Sequence, residues 1–176
     1  VEADLVTLVD RTVQRFGRVD ILITNAGISP WVTWSHEVTT DMWSDLLQIN
    51  VVGAFILARE VGKVMMRQGG GRIINMASLG GILGMPGQVA YSATKGAIDA
   101  LGLALRNELY PFGVKVSLIE PGDINTNFND AMDFGNNRDS PYGERILSCE
   151  AVIRELLPKA PGPEIVARAI ERALTA

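Results

Sequence analysis

The chain of 176 residues contains a single cysteine, Cys149, and a single histidine, His36. One cysteine excludes an intrachain disulfide and a zinc site built from several thiolates. His36 lies in a polar stretch far along the chain from any candidate nucleophile, so we interpret it as a surface residue and not as the base of a Ser-His-Asp hydrolase. Three aspartates, Asp130, Asp133 and Asp139, are interpreted as part of a solvated loop. The sequence therefore predicts no metal site.

The sequence also lacks an excess of basic residues and a long apolar run. Its formal net charge is −4, so we expect no basic face for nucleic acid. No stretch of about twenty apolar residues occurs, and no membrane partner is expected. A lone cysteine is compatible with the reducing cytoplasm. Apolar residues make up 47% of the sequence, enough for the core of a single domain spanning 1–176.

Helical and strand patterns alternate along the chain. Apolar periodicity and helix-ending residues predict helices over 3–16, 40–68, 91–109, 144–157 and 163–175, and short apolar runs predict strands over 19–24, 72–76 and 114–119. The strands lack polar alternation, as expected of strands covered on both faces. Strands alternating with helices indicate an α/β fold, a three-layer arrangement with a parallel sheet in the middle. The residues that follow the strands, among them Asn25, Ser78 and Pro121, fall at the ends where ligands of such sheets bind.

Three residues suggest a proton-transfer site. Tyr91 and Lys95 are four apart on a predicted helix and therefore share one face. Ser78 follows the preceding strand and can lie beside them. An unassisted tyrosine has a pKa of ~10, and an ammonium group close by favours the phenolate and lowers that value. We therefore expect Lys95 to lower the pKa of Tyr91.

Three further segments lie in an order that one protein family requires. They are Thr24-Asn25-Ala26-Gly27 after the first strand, Asn50 inside a long helical pattern, and Pro121-Gly122-Asp123-Ile124-Asn125-Thr126 after the third strand. Together with Ser78 and Tyr91-x-x-x-Lys95 this set closely resembles the classical branch of the short-chain dehydrogenase/reductase family. The resemblance implies a Rossmann-type doubly wound sheet, NAD or NADP as cofactor, and interconversion of an alcohol with a ketone or aldehyde.

The resemblance also implies a role for each matching residue. Ser78, Tyr91, Lys95 and Asn50 are expected to be catalytic, with Tyr91 as the acid/base. Asn50 is expected to bend its helix and to hold a water that links to Lys95. The residues expected to bind the cofactor are Asn25, Ala26, Gly27, Tyr91, Lys95, Pro121, Gly122, Ile124 and Thr126.

The sequence departs from the family in lacking its glycine-rich first turn. The triple glycine Gly69-Gly70-Gly71 precedes a strand instead of following one, so it fails the structural context of a phosphate-binding turn. The family's last strand is also missing, so a partial sheet and a longer source polypeptide are expected. Without the first strand, Ile21, Leu22 and Ile23 form a bare apolar edge, and these 176 residues on their own are expected to be unstable or sticky. The residue that selects NAD or NADP lies in the missing part.

Two alternatives to this function remain open. One is a cofactor-binding or scaffold protein without turnover, and the other is an epimerase or dehydratase that uses the same tyrosine. Residues that could line a substrate pocket are Trp31, Trp34, Leu79, Met85, Gln88 and the segment after Thr126; they are also compatible with packing under a lid. Apolar outer faces of the two long helices, with Phe55, Leu101 and Leu105, suggest a homotetramer or homodimer.

Overall fold

The structure is a computed structural model that describes residues 2–134 and 141–175. The described part contains strands β1 (Ile21–Thr24), β2 (Gly71–Met76) and β3 (Val114–Ile119). Its helices are α1 (Glu2–Phe16), α2 (Thr40–Leu47), α3 (Gly53–Gln68), α4 (Leu79–Leu83), α5 (Val89–Leu109), α6 (Gly143–Leu156) and α7 (Glu164–Thr175). A π-helical turn, Gln48–Val52, joins α2 to α3, and 3-10 turns cover Tyr110–Phe112, Asn127–Ala131 and Leu157–Lys159.

The three strands form one parallel sheet in the order β1-β2-β3. Ile23 pairs with Ile74, and Ile74 in turn pairs with Ser117, so all three strands end at the same edge of the sheet. Helical crossovers connect β1 to β2 and β2 to β3, as parallel pairing requires. The predicted α/β fold with a parallel sheet is confirmed, and the described sheet is partial.

The main core lies between one face of the sheet and helices α1, α3 and α5. Met65 of α3 and Ile73 of β2 are completely buried there, and Val9, Leu109 and Val116 complete the contact between layers. Gly69 ends α3 with a φ of 76°, a left-handed conformation that glycine adopts without strain. This face of the sheet is the better covered of the two.

Helix α7 lies on the opposite face, where the Arg72 side chain donates to the Ala173 carbonyl at 3.2 Å. Helix α7 does not extend over β1, so Ile21 and Ile23 remain 47% and 41% exposed while Leu22 packs against the core. The prediction of strands covered on both faces is therefore wrong for β1. In the described residues, β1 has no strand on its outer side and no cover on one face.

Several element boundaries differ from the prediction. Helix α2 is capped by Thr39, whose hydroxyl accepts from the Met42 amide. Helix α5 begins at Val89, two residues before Tyr91. A short helix, α4, occupies a glycine-containing segment for which no helix was predicted.

The outer faces of the long helices also differ from expectation. Leu105 is buried in the main core, and Leu101 is partly buried against it. The exposed large apolar residues of these helices are Phe55 and Met66 on α3, and Val89 and Leu103 on α5. Of the described helices, none combines the length and apolar character needed to cross a membrane.

Candidate active site

A cavity of about 880 Å³ lies beyond the carboxyl ends of the strands. Its wall includes the segments that follow β1, β2 and β3, as well as the start of α5. The lining residues that the sequence singled out are Asn25, Ala26, Gly27, Ser78, Leu79, Met85, Gln88, Tyr91, Lys95, Pro121, Gly122, Ile124 and Thr126. Asp139 lies outside the described residues, and no group of three metal-ligating side chains occurs within them.

Ser78 and Tyr91 meet at this cavity. Ser78 caps α4, where its hydroxyl accepts from the Gly80 amide at 3.1 Å. Its side chain lies beside Tyr91, since a Cβ added at Gly80 would be 3.5 Å from both Ser78 Oγ and Tyr91 Cε1, and its interaction with the phenol acts to lower the pKa of Tyr91. A hydroxyl that can both accept and donate is therefore held against the phenol that the sequence identified.

Two glycines bring α4 close to α5. A Cβ added at Gly81 would lie 2.8 Å from the Gly96 amide nitrogen and from the Lys95 carbonyl carbon, both backbone atoms of α5. The Gly81 carbonyl oxygen in turn lies 3.3 Å from where a Cβ on Gly96 would be. This contact between backbones sets the position of Ser78 relative to Tyr91.

Lys95 is buried one helical turn beyond Tyr91. Its Nζ donates to the Met76 carbonyl at the end of β2, at 2.8 Å, and lies 5.8 Å from the centre of the Tyr91 ring. Burial lowers the pKa of Lys95, and the nearby Asp99 carboxylate opposes that shift. The lysine is thus held against the end of the sheet, with its ammonium largely removed from water.

The pKa of Tyr91 shifts in the direction opposite to expectation. Burial raises the pKa of Tyr91, and the Ser78 hydrogen bond acts in the lowering direction but is the smaller effect. Lys95 is not a cause of the shift, which fits with its ammonium donating to a backbone carbonyl. The expected lowering by Lys95 is therefore not found, and Tyr91 is a protonated phenol near neutrality.

Asn50 lies in the π-helical turn between α2 and α3 and is buried. Its side-chain oxygen accepts from the Ile28 amide at 2.8 Å, and its side-chain nitrogen donates to the Ile28 carbonyl at 2.9 Å and to Thr94 Oγ1 at 3.1 Å. The helix departs from α-helical geometry at the residue where a bend was expected. Asn50 thereby ties the loop after β1 to the helix that carries Tyr91 and Lys95.

The segments expected to bind the cofactor converge on the same space. A Cβ at Gly27 would lie 3.4 Å from Asn50 Oδ1 and 3.6 Å from Lys95 Nζ, so this turn passes directly beside both side chains. After β3, the Pro121 carbonyl accepts from the Leu79 amide at 2.9 Å, which links the Pro-Gly turn to α4. Thr126 caps the following 3-10 turn by accepting from the Phe128 amide.

Two of the expected pocket residues lie elsewhere. Trp34 stacks on Tyr142 with ring centres 4.3 Å apart, and Trp31 pairs with Asp133 in an isolated parallel bridge. Neither tryptophan lines the cavity. Trp31 thus contacts the chain just after the 3-10 turn Asn127–Ala131, and Trp34 contacts the residue before α6. The residues that neighbour the tryptophans in sequence gave no indication of these partners.

The segment after Thr126 lines the cavity as expected, with Met132 and with Phe128, whose ring lies 6.3 Å from the Tyr91 ring. Sequence reasoning missed the part of the wall that helix α7 contributes, with Val166 and Ile170. The only available signal was their apolar character, which does not distinguish a cavity wall from core. Thr94 accepts from Asn50, and the Met76 carbonyl accepts from Lys95. Nothing in the sequence indicated these two contacts, apart from the positions of both residues beside the motifs.

The geometry defines a ligand cavity at the strand ends of a parallel α/β sheet, with a buried Ser-Tyr-Lys group in its wall. The family model for short chain dehydrogenase matches residues 1–136. The chain therefore belongs to the short-chain dehydrogenase family, as its motifs indicated.

Individual relatives agree with this assignment. L-fucose dehydrogenase of Bos taurus is 38% identical over 123 residues, which are 70% of this chain and 45% of the relative. A short-chain dehydrogenase from Streptomyces avermitilis matches with a TM-score of 0.86 and 33% identity, over 100% of this chain and 63% of that one. An NAD+-bound xylitol dehydrogenase matches with a TM-score of 0.70 and 36% identity, over 72% of this chain and 48% of that one. The chain spans about half the length of the curated relatives it matches.

Proposed function

We propose that the protein is an NAD(P)-dependent oxidoreductase that interconverts an alcohol and a ketone or aldehyde. The observation that carries the proposal is Tyr91, which lies beside Ser78 in the wall of a cavity at the strand ends, one turn before buried Lys95. A scaffold protein has no need to bury a lysine beside a tyrosine in an open cavity, because burying a charge costs free energy.

The residues present fit the nicotinamide end of such a cofactor. The Asn25-Ala26-Gly27 turn is built from small residues, and its glycine runs beside Lys95 Nζ and Asn50 Oδ1, where a side chain would fill the space. Across the cavity, Pro121, Gly122, Ile124 and Thr126 form the facing wall. We propose that these two segments hold the nicotinamide and its ribose between them, with Lys95 as a donor to the ribose hydroxyls. NAD and NADP both remain candidates.

In the proposed reaction, Tyr91 is the group that donates or accepts the proton. When bound, the nicotinamide supplies or accepts the hydride. In reduction, the carbonyl carbon gains the hydride, the carbonyl electron pair moves to the oxygen, and the Tyr91 O–H donates its proton to that oxygen. The raised pKa of Tyr91 keeps the phenol protonated near neutrality, which suits this direction. In oxidation, the Tyr91 phenolate takes the alcohol proton.

Ser78, Lys95 and Asn50 support that transfer. In the proposed reaction, Ser78 hydrogen-bonds the substrate oxygen and stabilises charge that develops on it or on Tyr91. We propose that Asn50 positions Lys95 through a bridging water and holds the loop after β1 through its two bonds to Ile28. A positioned acid/base contributes typically ~10²–10⁴-fold in rate.

The test is the Tyr91→Phe substitution in the intact source polypeptide, assayed with NADH and NADPH on a panel of ketones, aldehydes and alcohols. We expect turnover to fall by about 10³-fold or more, because phenylalanine keeps the ring and removes only the proton donor. Cofactor affinity, measured by fluorescence titration, should change little.

Tyr110→Phe is the matched control, because Tyr110 is 78% exposed and lies outside the cavity. It should retain full turnover. Normal turnover in Tyr91→Phe would refute the role of Tyr91. Cofactor binding without turnover of any substrate in the unsubstituted protein would favour the scaffold alternative.

We further propose a cytoplasmic homotetramer or homodimer. Support for assembly comes from the exposed apolar side chains of Phe55 on α3 and Leu103 on α5, since large apolar side chains on helix faces favour contact with a second subunit. Cys149 is free, which is compatible with a reducing compartment. A monomeric mass by light scattering would contradict the assembly.

A further inference from the structure

Gln88 is a buried polar residue in the cavity wall with no assigned task. It lies immediately before the first turn of α5 and is only 5% exposed. Its backbone donates to the Met85 carbonyl and accepts from the Ser92 amide. Its side-chain amide makes no hydrogen bond to any residue that the structure describes, and it does not cap the helix that it precedes.

An unpartnered amide in this position is unusual. Buried side-chain polar groups are normally hydrogen-bonded, and leaving one unsatisfied is costly. Some side-chain atoms of this structure are fully enclosed without a partner, but those of Gln88 are not among them. The Gln88 amide thus keeps some access to solvent, and the residue lines the cavity. The amide is therefore directed at the cavity, where a ligand can satisfy it.

Gln88 is also close to the reacting position. It is the N-cap residue of the helix that carries Tyr91, three residues before Tyr91, and both residues line the same cavity. The cavity wall around these two residues is apolar, with Leu79, Met85 and Phe128. Within this apolar part of the wall, Gln88 offers both a donor and an acceptor.

We propose that Gln88 is a specificity-determining residue that hydrogen-bonds a second oxygen atom of the substrate, carried on the carbon next to the reacting carbon. The substrates of this class are hydroxyketones, vicinal dicarbonyls and the corresponding diols, with an apolar body that packs against Leu79, Met85 and Phe128. This inference rests on the proposed function, since it names the substrate class of the same site.

The test compares matched ketones with the intact source polypeptide. Cyclohexanone is paired with its alpha-hydroxy derivative, and butanone with diacetyl, so each pair differs in the second oxygen. We expect kcat/KM to be higher for the oxygenated member of each pair. In Gln88→Leu this preference should fall by about ten- to one-hundred-fold, the size expected when one buried hydrogen bond is lost.

Gln88→Glu provides a second, sharper variant. A carboxylate accepts a hydrogen bond from the hydroxyl of the hydroxyketone but cannot donate to the second carbonyl of diacetyl. We therefore expect the glutamate variant to keep most of the preference for the hydroxyketone and to lose the preference for diacetyl. This variant carries the test if the leucine variant fails to fold.

Gln14→Leu is the matched control, because Gln14 is exposed on α1 and lies outside the cavity. It should leave both preferences as they are. An equal loss for all four ketones in Gln88→Leu would mean that Gln88 only shapes the start of α5, and would overturn the inference while leaving the proposed function intact. Absence of a preference in the unsubstituted protein would do the same. Failure to reduce any carbonyl would remove the proposed function itself and the inference with it.

Discussion

At the scale of single residues, the candidate site is a set of polar groups held out of water. Tyr91, Lys95 and Asp99 are each shifted toward their neutral forms, and in every case burial is the largest cause. Asp99 is further affected by Glu120, whose negative charge raises the pKa of its carboxyl. Hydrogen bonds and neighbouring charges then cause smaller shifts in the pKa of each group. Burial is therefore the main influence on the pKa of all three groups.

Ser78→Ala tests the one interaction that favours the Tyr91 phenolate. The Ser78 hydrogen bond lowers the pKa of Tyr91, so its loss should raise that pKa further. Because alcohol oxidation needs the phenolate, the rise of kcat/KM with pH should move to higher pH, in addition to an overall loss of rate. The pH profile of alcohol oxidation measures both effects.

Ser148→Ala serves as the comparison, since Ser148 is exposed on α6 and bonds only the Glu144 carbonyl. Its pH profile should match that of the unsubstituted protein. A profile for Ser78→Ala that moves to lower pH would contradict the proposed bond.

At the scale of elements, the site depends on how closely α4 approaches α5. Backbone contact at Gly81 leaves no room for a side chain, because an added Cβ would lie 2.8 Å from backbone atoms of α5. These backbone atoms belong to a helix and cannot move aside as a flexible side chain can. The helix α4 must therefore move if Gly81 is substituted, and Ser78 moves with it.

We expect Gly81→Ala to lower kcat/KM by about 10²-fold, the size of effect that a displacement of about 1 Å has on a positioned catalytic group. Steady-state kinetics measures this loss, and thermal unfolding shows whether the fold is retained.

Gly53→Ala is the matched control, since the added Cβ would meet only the Gln48 carbonyl at an ordinary 3.6 Å. It should leave kcat/KM unchanged. Full activity in Gly81→Ala would mean that α4 does not set the position of Ser78.

The elements that sequence predicted well are those with a strong pattern. The three parallel strands and the helices that follow them are short apolar runs and long amphipathic stretches, so their type is clear from periodicity. The positions of Ser78, Tyr91 and Lys95 followed from family motifs and helix spacing. Glycine-rich α4 was missed because glycine is a poor helix former.

Other features were beyond the sequence for physical reasons. Trp34 and Tyr142 stack across a separation of more than a hundred residues, and no local pattern records such a contact. The raised pKa of Tyr91 depends on burial and on the fact that Lys95 donates to the Met76 carbonyl and not to the phenol. The spacing of Tyr91 and Lys95 fixes only that they share a face, and it does not fix their charge states.

At the scale of the whole molecule, the sheet is well covered on one face and incompletely covered on the other. Ile21 and Ile23 are two apart on β1, so both side chains lie on the same face of the sheet, the one that α7 leaves uncovered at β1. The outer edge of β1 also has no strand partner among the described residues. An apolar strand with a free edge and a free face is a site for self-association.

We therefore expect residues 1–176, expressed alone, to self-associate. Double substitution of Ile21 and Ile23 by threonine should reduce the effect, because threonine keeps β-branching and removes apolar surface. Light scattering at several protein concentrations measures the change in mass. Val152→Thr on α6, another exposed apolar position, should leave the mass unchanged. A monomeric, cooperatively melting product would contradict this expectation.

The π turn around Asn50 has a consequence for sequence alignment and for engineering of this chain. A π turn takes up one extra residue within a helix, so removal of Ile49 would leave an uninterrupted α-helix whose two halves keep their present orientation. Leu46 and the inward stripe of Ala54, Ile56 and Val61 would stay buried. Homologues that carry a gap at this point are therefore expected to pack both halves of the helix alike and to differ at the turn around Asn50.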